Sequence, residues 1–373
     1  GIFNVDGALW HTQRKTASKM FTAHSFKEHI WQVVHKNTTK VQSVMAKAAD
    51  TAEILDVFKL MNRFTLDSIG EIGFGVDIGA LEDPTSPFLA SFDHAQKAAF
   101  YRFVLPDPVW RMLRLFGLGT EQDSAHHFQL LDSYSRQVVR ELNARGESGA
   151  SFVGLFLQDA RAKGQELSED FLRDLVLNFL IAGRDTTAQA LAWTIFCISG
   201  HHGVEEAIQE ELDRVVGDGA LSYPQLSQLS YLQAVINEAL RLFPSVPMGT
   251  KICLEDDHFP DGTFVPADTV VVFGSYAMAR DEALWGPDAS HFRPERWLNR
   301  KAPPSSYEFA VFNAGPRECL GKRLAYLEMK ACLAHVFQHF VLSLALPRDQ
   351  VLPQASLTIG MSSGLPCKVK RRR

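Results

Sequence analysis

Apolar and polar positions alternate with a helical period over most of the chain. From Trp10, the residues Trp10, Arg14, Ala17 and Phe21 return to one face every three to four positions. Val57, Leu60, Met61 and Phe64 form a second stripe, which predicts a helix from about Ala52 to Gly70. Glu82-Asp83-Pro84-Thr85-Ser86-Pro87 reads as a loop. Residues 124–145 are periodic again, and Arg145-Gly146-Glu147-Ser148-Gly149 should stop them. Ser168 to Ser199 is apolar almost all round and predicts a long buried helix ended by Gly200. Residues 204–216 predict an acidic amphipathic helix. Ser230-x-x-Gln233 has the form of a capping box, opening a helix that buries Leu232, Val235, Ile236, Ala239, Leu240 and Phe243. After Pro244 the texture changes. Asp261-Gly262 signals a hairpin, and Thr269 to Phe273 is the strongest strand pattern. Residues 321–343 return to a helical period, and Leu357 to Val369 alternates as an edge hairpin would. No repeat or linker interrupts the pattern. The expectation is one domain, residues 1–373, mainly α with a small β-sheet region.

Composition narrows the class. Hydrophobic residues are 46% and charged residues 22% of 373, which is globular and argues against disorder. A net charge of −5 gives no positive field for nucleic acid. Cys197, Cys253, Cys319, Cys332 and Cys367 are scattered without paired spacing, excluding a disulfide scaffold and a zinc ribbon. The stretch Leu175 to Ile198 is broken by Arg184-Asp185-Thr186-Thr187 and makes a poor membrane span. His126-His127 and His201-His202 are neighbours that point apart on a helix, so neither pair is a metal site. Residue 1 is not Met and a helical pattern begins almost at once, so a natural start upstream is expected.

The chemistry concentrates in Phe312-Asn313-Ala314-Gly315-Pro316-Arg317-Glu318-Cys319-Leu320-Gly321. A cysteine at the point where a glycine- and proline-bearing loop becomes a helix has its thiolate favoured by the helix N-terminus. Gly315 and Gly321 let backbone approach a flat ligand, Arg317 suits an anionic group, and Phe312 can shield the sulfur from water. The bland alternative is a buried structural cysteine in a turn.

This segment resembles the haem-thiolate signature of cytochrome P-450 monooxygenases, and further landmarks follow in that family's order. Ala182-Gly183-Arg184-Asp185-Thr186-Thr187 resembles its oxygen-activation motif, and Glu238-Ala239-Leu240-Arg241 its Glu-x-x-Arg pair. Phe292-Arg293-Pro294-Glu295-Arg296-Trp297 is similar to its meander, and Trp10-x-x-x-Arg14 to its propionate-contacting helix. The resemblance implies haem b with Cys319 as axial ligand, whose electron density favours O–O cleavage. It implies contacts to haem from Phe312, Gly315, Arg317, Gly321, Trp10 and Arg14. Ala182 and Gly183 would let oxygen and the macrocycle approach the helix, and Asp185 and Thr186 would relay protons. The competing reading of Thr186-x-x-Gln189 is a capping box that starts a new helix. Glu238, Arg241 and Arg296 would form a buried charge network behind the cysteine loop, although Glu238 and Arg241 also have the spacing of a surface ion pair.

The loops Arg241-Leu-Phe-Pro-Ser-Val-Pro247, Phe259-Pro-Asp-Gly-Thr-Phe-Val-Pro266 and Trp285-Gly-Pro-Asp288 look similar to the eukaryotic fatty-acid ω-hydroxylase group. Gly1-Ile-Phe-Asn-Val-Asp-Gly7 and Phe74-Gly-Val-Asp77 share that likeness. By it the substrate is a long-chain fatty acid or alkane, touched by Asn178, Phe179, Ala182, Val246 and Met248. The partners implied are O₂ and an NADPH-dependent flavoprotein reductase, docked on a basic face of His11, Lys15, Lys19, Lys322 and Arg323. Measured against that family, the chain is expected to lack the membrane anchor, first helices and first sheet strands. The full-length protein is then placed at the cytosolic side of the endoplasmic reticulum membrane. Two alternatives stay open: a peroxide-using or rearranging haem-thiolate enzyme, and an inactive fragment or non-catalytic haem-binding module.

Overall fold

A computed structural model describes residues 1–22, 24, 29–145 and 151–372. The proposed stop at residues 146–149 lies outside them. The long helices are α1 (Gly7–Ser18), α2 (Trp31–Thr51), α3 (Val57–Phe74), α4 (Pro87–Val104), α5 (Asp107–Phe116) and α6 (Ser124–Arg145). After them come α7 (Phe152–Ala162), α8 (Glu169–Ile198), α9 (His202–Val215), α10 (Ser230–Leu242) and α11 (Lys322–His339). The architecture is mainly α, as the periodicity implies.

Helix α8 is the axis of the molecule. Ser168 caps it by accepting the Phe171 N–H at 3.2 Å, and Glu169 and Asp170 in its first turn complement the helix dipole. It runs unbroken through Thr186, whose hydroxyl donates to the Ala182 carbonyl at 2.7 Å, so no new helix starts there. Helix α3 packs along α8, and their closest approach is made possible by Gly183. A Cβ on Gly183 would stand 2.5 Å from the Ile69 side chain. At the far end Trp193 is fully buried, stacks on Phe243 at 4.2 Å and donates its indole N–H to the Ile359 carbonyl at 3.0 Å.

Several boundaries differ from expectation for identifiable reasons. The helix expected from Ala52 begins at Val57, where Asp56 accepts the Lys59 N–H, and it ends at Gly75 with φ +63°. Helices α2, α4, α5 and α7 have no counterpart among the predicted elements. The Ser230-x-x-Gln233 box does not form. Glu211, from α9, accepts the N–H groups of Tyr231 at 2.7 Å and Leu232 at 2.9 Å instead, a long-range cap that local sequence does not announce. The capping box that does form joins Ser222 and Gln225.

Strand β1 (Leu55–Asp56) starts the sheets. Strands β2 (Gly249–Ile252) and β5 (Val270–Phe273) pair antiparallel, Gly249 opposite Phe273. Between them β3 (Asp257–His258) and β4 (Phe264–Val265) form the hairpin that Asp261-Gly262 announced, with Gly262 at φ +89°. The helical pattern of residues 321–343 ends early, because Phe340 turns extended and opens β6 (Phe340–Leu344). Strands β7 (Pro353–Gln354) and β8 (Gly360–Met361) pair in a short ladder. The last strand, β9 (Pro366–Arg371), is not an edge: it lies between β1 and β6 in a three-stranded sheet.

Candidate active site

The cysteine loop is closed by a backbone bond. The Cys319 N–H donates to the Phe312 carbonyl at 2.8 Å. Between them Asn313 and Gly315 take φ values of +63° and +68°, which reverse the chain tightly. Phe312 is held against Tyr326 at 5.2 Å, beside the start of α11. The Cys319 side chain is exposed on one side and walled by protein on the others. Burial pushes its thiol pKa up, while the N–H groups of Gly321 and Lys322 and the Arg14 guanidinium pull it down. A Cβ on Gly321 would lie 3.8 Å from the sulfur, so the glycine keeps that flank open.

Trp10, Arg14 and Arg317 meet beside this loop, although they are some 300 residues apart in sequence, as the separation of 304 between Arg14 and Glu318 shows. Arg14 donates to the Glu318 carbonyl at 2.7 Å, and the Arg317 guanidinium lies 4.4 Å from the Trp10 ring centre. Arg317 also donates to the Val5 carbonyl at 3.0 Å and to Asp6. A lone cysteine sulfur flanked by two guanidiniums and an indole fits an iron carried in an anionic macrocycle. It does not fit a bare metal ion, which would need more protein ligands.

The charge network of Glu238, Arg241 and Arg296 is complete. The Glu238 carboxylate is fully buried and accepts from Arg241 at 2.8 and 2.9 Å, Arg296 at 3.2 Å, the Arg293 N–H at 3.0 Å and Trp297 at 2.9 Å. The guanidiniums spend their remaining donors on carbonyls, Arg241 on Ala289 and Arg296 on Trp285. Glu238 and Arg241 are therefore not a surface pair, and the absence of stranded charge is what makes burial tolerable.

On α8, Asp185 is buried and Thr186 half-buried, and the two point to different neighbours. Asp185 accepts from Gln96 of α4 and, at 3.0 Å, from Arg184. Arg184 in turn meets Asp93 of α4 at 2.6 Å. Burial pushes the Asp185 carboxyl pKa up, opposed chiefly by Arg184. The Thr186 backbone carbonyl accepts from the Ser245 hydroxyl at 2.6 Å, tying the segment after α10 to the helix. Gly183 turns its open side to Ile69, so its small size serves the packing of α3 on α8.

A cavity of about 520 Å³ lies between α4, α6 and α8. Phe92, Ala95, Leu177, Ile181 and Leu357 give it apolar walls, and Gln96 brings it to Asp185. None of Asn178, Phe179, Val246 or Met248 lines it. Phe179 is buried and stacked on Phe152 at 3.8 Å. The Asn178 amide is turned back to the Asp174 carbonyl at 2.6 Å. Val246 and Met248 are 42% and 64% exposed, open to a ligand but away from these walls. The wall residues Leu177 and Ile181 sit one position before Asn178 and Ala182. Motif reading missed Gln96 and the pairing of buried Arg184 with exposed Asp93. An arginine inside an apolar helix was a visible signal for the latter.

Of the basic residues expected to form a docking face, His11, Lys15, Lys19 and Arg323 are exposed and Lys322 is half-buried; Lys19 meets Asp159 at 3.3 Å and Lys322 meets Glu318 at 2.8 Å. Among the described residues no helix is long and apolar enough to cross a membrane.

A lone cysteine on a tight loop beside Trp10 and Arg14 suits a haem-thiolate class, while the apolar cavity lies between α4, α6 and α8 and none of that loop's residues lines it. Comparison with known proteins gives the same class: the cytochrome P450 family model matches residues 1–365, and the chain belongs to that family. It is 36% identical to cytochrome P450 86B1 of Arabidopsis thaliana, over 98% of this chain and 69% of that protein. It is 34% identical to cytochrome P450 704B1 of the same plant, over 100% of this chain and 80% of the relative. Cytochrome P450 94A1 of Vicia sativa is 32% identical, over 100% and 74%. The family consists of oxidoreductase monooxygenases that bind a thiolate-ligated haem and take electrons from a reductase.

Proposed function

We propose that this chain carries the catalytic domain of a monooxygenase that hydroxylates a long-chain fatty acid or alkane at or near its methyl end. The observation that carries the substrate class is the cavity against α8. Its volume falls in the range of small-molecule sites, roughly 300–1,000 Å³, and its deep walls are apolar. Gln129, Asp132 and Arg173 supply polar groups on the same cavity, so one end suits a chain and another a headgroup.

Cys319 would hold the haem iron, with Phe312, Gly315 and Gly321 shaping the loop. Trp10, Arg14 and Arg317 would meet the macrocycle's carboxylates. Bound haem supplies the activation of O₂, helped by the electron density of its thiolate ligand. Ala182 and Thr186 form the half-buried strip of α8, and Asp185 holds a proton behind it. The Thr186 hydroxyl, now bonded to Ala182, can pass a proton onward by rotating about one bond. Glu238, Arg241 and Arg296 keep the loop rigid.

Electrons would come from an NADPH-dependent flavoprotein reductase docked near His11, Lys15 and Arg323. We place the whole protein at the cytosolic side of the endoplasmic reticulum membrane. Support comes from the exposed apolar cluster Phe103, Val104, Met112, Leu115, Phe116 and Leu118 on and around α5. The test is a panel of fatty acids of graded chain length, supplied with reductase and NADPH to the haem-loaded protein. Terminal or near-terminal hydroxy acids from long chains are expected. Turnover confined to compact ring substrates would contradict the substrate class.

A further inference from the structure

We infer that Gln96 is a positioning residue that couples occupancy of the cavity to the acid on the central helix. The inference rests on the functional reading above and goes beyond it, to how the substrate signals its presence. Gln96 is the residue that both lines the cavity and bonds to the Asp185 carboxylate. Its neighbours on α4 complete the link. Asp93, one turn earlier, holds Arg184, which holds Asp185 in turn. Phe92 stacks under the Arg184 guanidinium at 4.9 Å while facing the cavity.

The chemistry of a carboxamide suits this position. Its N–H₂ donates to an ionised carboxylate, and a half-turn presents its oxygen to a protonated carboxyl, so Gln96 serves both states of Asp185. An empty cavity lets water reach the amide and compete for it. An apolar chain along Phe92, Ala95 and Ile181 displaces that water and leaves Asp185 as the amide's polar partner. The ionisable groups acting on Asp185 are Arg184 of its own helix and Asp93 of α4. On the other flank, Glu328 of α11 bonds the adjacent Thr187, and burial pushes its carboxyl pKa well up. Burial and Arg184 act first on the Asp185 carboxyl, and Gln96, on the cavity wall, supplies from α4 the hydrogen bond that favours its ionised form.

The test compares wild type with Gln96→Leu and Gln96→Glu in the haem-loaded full-length protein. Readouts are product formed per NADPH and the pH profile of turnover. The carboxyl stretch is also followed by infrared difference spectroscopy as substrate is added. Leucine keeps the size and removes the donor. Losing one hydrogen bond to the ionised form raises the acid's pKa, so the limb of the pH profile that it controls moves up by about one unit. Glutamate places a like charge beside Asp185 and should move the same limb further in the same direction. Product per NADPH should fall about tenfold in Gln96→Leu, and the substrate-induced carboxyl band should disappear. Asp185→Asn serves as reference: if it keeps wild-type coupling, the relay reading itself fails. If Asp185→Asn uncouples while Gln96→Leu keeps the wild-type pH profile and carboxyl band, Gln96 is merely cavity wall and the inference is overturned.

Discussion

At the scale of single residues, the site divides between groups that face the cysteine recess and groups held elsewhere. Cys319 is open on one flank because position 321 is glycine, and its sulfur receives help from the amides that begin α11. Thr186 lies on the half-buried strip with Ala182, whereas Asp185, next in sequence, turns toward α4. Two neighbours thus do different work because 100° separates them around a helix. The Thr186 hydroxyl is assigned to proton delivery, so Thr186→Ala should consume NADPH and release peroxide while hydroxylated product falls. A positioned proton-transfer group is worth about 10²–10⁴-fold, and product per NADPH is the quantity to measure. A wild-type ratio would remove Thr186 from the relay. The same rotation explains which contacts the sequence could reveal. Motif spacing located Ala182, Asp185 and Thr186, but the cavity wall falls on Leu177 and Ile181, and Phe179 belongs to the core. Which side of an all-apolar helix meets a ligand depends on what packs against the other sides, and no periodicity records that.

Among elements, the decisive contact is α3 against α8. The space left by the missing Gly183 side chain is filled by Ile69. A methyl group added there meets the Ile69 branch, and overpacking of this kind costs roughly 1–3 kcal/mol. Gly183→Ala should lower the unfolding free energy by that amount, and the combined Gly183→Ala, Ile69→Ala variant should lose less than the sum of the two single losses. Calorimetric or denaturant unfolding of the single and double variants checks this. Additive losses would mean that Gly183 is small for another reason. The helices with strong internal stripes, α8 and α10, were legible, and so was the β3–β4 hairpin from its Asp261-Gly262 turn. The start of α10 was not, since its cap is the Glu211 carboxylate, which is 20 residues from Tyr231. Position β9 was misread as an edge for a similar reason. Its partners, β1 and β6, are Leu55–Asp56 at one end of the chain and Phe340–Leu344 near the other. Pairing across such distances leaves no local trace.

For the whole molecule, the fold brings Trp10 and Arg14 of α1 to the cysteine loop. It also joins Glu238 and Arg241 to Arg296 and Trp297, so the family was legible from short motifs although their pairings were not. The central claim is that the recess holds haem through the Cys319 thiolate. Only a thiolate ligand gives the strongly red-shifted Soret band of the ferrous carbon monoxide complex. The most direct measurement is therefore that spectrum for the haem-loaded wild type and for Cys319→Ser. The account predicts the red-shifted band in wild type and its loss in the variant. A band that survives in Cys319→Ser would show that another residue ligates the iron, and would contradict the account.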